Sequence, residues 1–104
     1  MQSTRLSVGT RTYWLSPLAE VDLEEIWLYT LQNWSLGQAD SYHHDLAAAF
    51  GALASGTQQG RMVEVRAGYL KHPCGSHTIY FRDNGDRIEI IRILHNKQDV
   101  ERHL

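Results

Sequence analysis

Residues Gly75–Leu94 read GSHTIYFRDNGDRIEIIRIL, and this stretch decides the fold. Two β-rich runs, His77–Arg82 and Arg87–Leu94, flank Asp83-Asn84-Gly85-Asp86. Asn-Gly tolerates the positive φ of a tight turn, so the runs are expected to pair as an antiparallel hairpin. Alternation in the second run puts Ile88, Ile90 and Leu94 on one face with Arg92. It puts Ile91 and Ile93 on the other with Glu89 and His95. A strand apolar on both faces belongs in the interior of a sheet, so the remaining chain must be cover for this hairpin or something displayed by it.

Working outward, 104 residues suffice for one hydrophobic core and not for two. The formal charge of -2 hides an asymmetry. Met1–Gly60 carries two basic residues against six acidic ones, whereas Arg61–Leu104 carries eight against six, with four of the six histidines. The basic half suits an acidic partner but falls far short of a nucleic-acid-coating protein, so no direct nucleic-acid contact is expected. Cys74 is the only cysteine, which rules out an internal disulfide and a cysteine-rich zinc site. No apolar run approaches the roughly 20 residues needed to cross a bilayer, and no apolar segment follows Arg5 and Arg11 as in a secretory signal. A cytoplasmic protein without membrane contact is the expectation.

Residues 1–11 read as a loose polar leader, and residues 12–104 as the domain. Thr12–Leu15 is a short edge strand. Ser16-Pro17 then opens a helix, with serine as N-cap and proline where the helix has no N–H partner to lose. Glu20, Asp22, Glu24 and Glu25 complement its dipole, and Ala19, Leu23, Ile26 and Thr30 form its apolar stripe with Trp27 and Trp34 beside it. Leu28 and Leu31 lie off that stripe. Ser35 and Gln38 form a capping box that starts a second helix at once, buried through Ala39, Tyr42, Leu46, Ala49, Phe50 and Leu53. So short a connection makes an antiparallel helical hairpin.

Arg66–His72 reads as a strand, Pro73-Cys74-Gly75 as a breaker, and Asn96 as the cap of a last helical turn. The order is β-α-α-β-β-β, an α+β fold. The economical arrangement packs the helical hairpin on one face of a small, mostly antiparallel sheet of four strands. The other face is then part open or covered by the tail, and an open face there is where function is expected.

Phosphate loops, GxGxxG, HExxH and GxSxG are all absent. His43-His44 are adjacent and diverge by about 100° on a helix, so they cannot chelate one metal. No metal, cofactor or catalytic residue is assigned. The polar set of interest is Arg82, Arg92, His95, Lys97, Arg102 and His103, with Lys71 and His77 on neighbouring strands. Arg92 interrupts an aliphatic face and requires an anion; Asp22 of the first helix or a group on a partner would serve. His95, Lys97 and His103 on one rim would suit acid–base work on RNA, although spacing alone does not establish it.

These residues carry a family resemblance. LSPLAEVDLEEIW at Leu15–Trp27, WSLGQA at Trp34–Ala39, VRAGY at Val65–Tyr69, GSHTIYFR at Gly75–Arg82, IEIIRILH at Ile88–His95 and the terminal DVERHL stand in order and register. The chain from Leu15 to Leu104 resembles the ParE toxins, a branch of the RelE/ParE superfamily of bacterial type II toxin–antitoxin systems. The resemblance implies the same fold, a ParD-like antitoxin bound in a hetero-oligomer, and toxicity through DNA gyrase. Candidate contacts for antitoxin or target are Trp27, Leu28, Leu31, Tyr69, Lys71, His77, Arg82, Arg92, His95, Lys97, Arg102 and His103. The messenger-cutting RelE branch is the alternative, a ribosome-dependent endoribonuclease. Its arginine and terminal-tail tyrosine are missing here, and His77, Lys97 and His103 stand in the corresponding places. A third reading is an antitoxin-binding relic without toxicity.

Overall fold

A computed structural model describes residues 11–104. The leader expected over residues 1–11 therefore lies outside the described residues except for Arg11. That residue donates to Ala54 O at 3.1 Å and pairs with Asp83 at 2.6 Å.

The hairpin forms where expected, between β4 (His77–Asp83) and β5 (Arg87–His95). Gly85 takes φ 84°, Asn84 N–H donates to Arg87 O, and Gly85 N–H donates to the Asp83 carboxylate at 2.9 Å. The strict alternation fails midway along β5. Phe81 faces Ile90 but Tyr80 faces Arg92, leaving Ile91 without a partner. One extra residue reverses the side-chain parity beyond it. Ile88, Ile90 and Ile93 consequently join one core with Ile79 and Phe81, and Leu94 crosses to the opposite face with Tyr80.

The sheet runs β1 (Thr12–Leu15), β5, β4, β3 (Leu70–Cys74) and β2 (Arg61–Met62). The edge strand β1 lies parallel to β5, pairing Thr12 with Arg87 through to Leu15 with Ile90. On the far side stand β3 and a two-residue β2. The strand expected at Arg66–His72 thus starts four residues later. Gly68 at φ 83° and a Tyr69 N–H to Arg66 O bond turn the chain first. Pro73 is part of β3 and not a breaker, on the stretch that β2 no longer pairs. β2 makes a fifth strand, too short to show alternation in the sequence.

Ser16 caps α1 (Pro17–Asn33), accepting from Ala19 N–H at 3.0 Å. Ser35 caps α2 (Leu36–Ser55), accepting from Gln38 N–H at 3.0 Å, and Gly56 at φ 85° ends it. Both helices lie on one face of the sheet. Ala19, Leu46, Phe50 and Leu53 meet the isoleucines and Phe81 there, and the burial of these side chains is the main source of stability.

The opposite face is covered in part, with Trp14, Lys71, Arg82 and Arg87 left exposed on it. Val63, Tyr80 and Leu94 are buried under Tyr69, Val100 and Leu104, and Arg66 donates to the Leu104 carbonyl. The tail thus closes one part of that face and leaves the rest open, as expected. In the tail, Asp99 and not Asn96 is the helix cap, accepting from Glu101 N–H ahead of α3 (Val100–His103). Asn96 instead accepts from the Thr78 hydroxyl at 2.7 Å.

β5 outruns β1 by several residues, and side chains take over its free margin. Ser16 donates to Ile90 O from its N–H and to Ile91 O from its hydroxyl, Asp22 accepts from Ile93 N–H at 2.9 Å, and Gln98 accepts from His95 N–H at 2.7 Å. Buried peptide groups without partners would each cost about 1–3 kcal/mol, so these substitutions for a missing strand matter to stability.

Candidate functional site: a histidine-lined cleft at the end of the helical hairpin

His77 opens β4 and His95 closes β5, and the register sets them opposite each other. Their rings meet edge to face with centroids 5.2 Å apart. Tyr42 of α2 reaches down to this pair. Its hydroxyl accepts from Ser76 N–H at 3.1 Å and lies 2.7 Å from His77 Nδ1 and 3.0 Å from Cys74 O. Gly75 lets the phenol in. It takes φ 58°, and a Cβ there would stand 2.6 Å from the Tyr42 ring.

Burial, reinforced by the neighbouring His95, pushes His77 below the ordinary histidine range, against a weaker opposing pull from Asp22. Burial also raises the Tyr42 phenol and the Cys74 thiol, the latter helped by the charge of Asp45. Cys74 is therefore a poor nucleophile. His95 Nδ1 accepts from Lys97 N–H at 3.1 Å, which leaves its other nitrogen to carry the proton of the neutral ring.

Arg92 stands opposite Tyr80, and its guanidinium reaches past the margin of β5 to Asp22. Two bonds of 2.8 Å form a bidentate pair, and Arg92 Nη1 donates to His103 O at 3.1 Å. The side chains are 16% and 9% exposed, so the pair is largely withdrawn from water. The Asp22 bonds raise the Arg92 pKa further, with Glu25 adding to the effect. Of the two anions weighed for Arg92, Asp22 is the one in contact.

These groups border a cleft of about 780 Å³ between the turn end of the helical hairpin and the β4 start and β5 end. Of the twelve candidate residues, the cleft gathers His77, Arg92, His95 and His103. The others are elsewhere. Trp27 bonds Asp40 across the two helices at 3.1 Å, beside a second hollow near His43. Leu28 faces outward and Leu31 is half-buried. Tyr69 lies under Arg66 and Arg82, at 4.8 and 5.7 Å. Lys71 and Lys97 are exposed and line no part of the cleft, and Arg102 pairs loosely with Asp99 at 3.6 Å. Tyr42, expected in the core, borders the cleft, as do Tyr29, Gln38 and Gln98, which lie outside the expected set of contacts. The available signal was a tyrosine on a buried helical stripe, whose hydroxyl must find a partner.

The arrangement can hold a ligand between aromatic and imidazole walls. Three imidazoles, His77, His95 and His103, line it, and Arg92, the sole lysine or arginine lining it among the described residues, is already held by Asp22. Among those residues no group of three or more His, Cys, Asp or Glu is placed to hold a metal ion.

The fold is shared with solved structures. The structure of a chromosomal ParDE toxin–antitoxin system from P. aeruginosa superposes with a TM-score of 0.73 at 20% identity, over 85% of this chain and 98% of that one. The RelBE2 toxin–antitoxin complex of Mycobacterium tuberculosis gives 0.57 at 20% identity, over 84% and 99%. Residues 13–100 match the model of the ParE toxin of the type II toxin–antitoxin system, parDE, and the chain belongs to that family. Toxin ParE1 of M. tuberculosis (strain H37Rv) is 42% identical over 94 residues, spanning 88% of this chain and 96% of that protein. Toxin ParE1 of Caulobacter vibrioides is 39% identical over 95 residues, spanning 90% and 98%.

Proposed function

We propose that this toxin acts in the cytoplasm by gripping DNA gyrase, without catalysis or cofactor, and that a ParD-like antitoxin neutralises it by ordering a segment against it in a hetero-oligomer. The observation that carries this reading is the outward side of the helical hairpin. Leu18, Val21, Leu28 and Tyr29 on α1 are all exposed, as are Trp34 and Leu36 at the turn into α2. α1 is therefore apolar on its solvent side as well as on its core side, as in helices that have a partner on each. A segment that folds on binding would bury such a surface. The cleft supports the same choice over RNA cleavage, since its Arg92 is paired and Lys97 stands outside it.

A supercoiling assay with purified gyrase tests the mechanism. Inhibition that rises with toxin and is relieved by the antitoxin is expected. Full supercoiling at a large toxin excess would dismiss the gyrase target, and cleaved message in a translating extract would move the chain to the RelE mode of action.

A further inference from the structure

We infer that the mouth of the cleft, formed by Tyr29, Trp34 and Glu25, is a receptor for the guanidinium of an arginine presented by a partner protein. The inference rests on the protein-binding reading above and adds the chemistry of the side chain recognised.

Charge is the first argument. From Thr12 to Tyr42 the chain contains no lysine, arginine or histidine. Glu20, Glu24 and Glu25 on α1 enter no ion pair among the described residues. Inside the cleft two carboxylates, Asp22 and Glu25, face one cation, Arg92. Arg92 gives both of its short bonds to Asp22, so Glu25 keeps an acceptor pair for an incoming donor.

Shape is the second argument. Tyr29 and Trp34 border the same cleft, yet are 64% and 71% exposed, with their rings presented to solvent. An aromatic face beside a free carboxylate is the setting in which a guanidinium gains most, through stacking and a forked hydrogen bond together. Lysine gains less, because its ammonium lacks the planar fork. An anionic ligand would meet Glu25 unpaired. A second copy of this chain presenting its own α1 would bring Glu20, Glu24 and Glu25 against their counterparts.

The test is an amide-resolved NMR titration of the full chain with N-acetylarginine amide, run beside N-acetylcitrulline amide, which has the same shape without the charge. Shifts centred on Glu25–Gln38 and the Trp34 indole are expected, with a dissociation constant on the order of 1–10 mM. Citrulline should bind about tenfold more weakly. Glu25→Gln and Trp34→Ala should each weaken arginine several-fold while leaving the melting temperature unchanged, since both side chains are exposed. Equal response to arginine and citrulline, shifts centred away from this mouth, no response at all, or indifference to Glu25→Gln would each overturn the inference. Failure of gyrase inhibition leaves these readouts untouched, so the two readings fall separately.

Discussion

Replacing Asp22 by alanine removes three acceptor contacts at once, two from the Arg92 guanidinium and one from Ile93 N–H. Breaking one side of a buried ion pair costs about 3–5 kcal/mol, because the surviving charge is left without a partner. Arg92 retains some water contact and its bond to His103 O, which argues for the lower end. The orphaned Ile93 N–H adds about 1 kcal/mol. A total near 4 kcal/mol in a domain of this length corresponds to a fall in Tm of about 15–25 °C, measurable by circular dichroism or calorimetry. Arg92→Met leaves the carboxylate bonded to Ile93 N–H, so it should cost less than Asp22→Ala. The double variant Asp22→Ala/Arg92→Met removes both charges together and should recover much of the loss, stopping short by the Ile93 N–H that alanine cannot satisfy. If Asp22→Ala melts within about 2 °C of the parent, or the two single losses simply add in the double variant, the claim that this pair replaces a strand neighbour of β5 is wrong.

Gly75→Ala should destabilise by about 1–3 kcal/mol, since the backbone there sits at φ 58° and the new methyl collides with Tyr42. Movement of the His77 and Ser76 resonances in the variant would confirm that the Tyr42 anchor is what yields. The depressed pKa of His77 predicts a pH effect with a fixed sign. The unfolded chain takes up the proton first, so the His77 contribution is intact above the unfolded value near 6.5 and is lost as pH falls through the lower folded value. Urea titrations at mildly alkaline and mildly acidic pH should show this loss, and His77→Gln should flatten the profile across that window. An unchanged slope in the variant would assign the effect to other groups.

Much of the fold was legible because local signals agreed with tertiary ones. Ser16-Pro17, Ser35 with Gln38, and Asn84-Gly85 each name a backbone geometry, and each is found in place. The parity of β5 was not legible, because nothing in RIEIIRIL marks Ile91 as the residue the ladder skips. β2 depends on two residues of pairing, and the late start of β3 depends on a turn around Gly68 that VRAGY disguises as strand. Of the site, the pairing of Arg92 with Asp22 could be anticipated from the cost of burying an arginine alone. The cleft itself could not, for it is assembled from the ends of segments far apart in sequence: Tyr42, Gly75 and His77, His95 and His103. Of the three residues expected on one rim, His95 and His103 border the cleft and Lys97 does not.

The side chains that finish the margin of β5 span most of the polypeptide, joining Ser16 to Ile91 and Asp22 to Ile93. Such contacts close late, because a chain must surrender the freedom of a long loop before they return anything. During translation α1 can form early, but the seat of its aspartate is made some seventy residues later. A chain cut short of residue 92 lacks both partners of the Asp22 carboxylate. α1 is thus seated only once the chain through β5 is available.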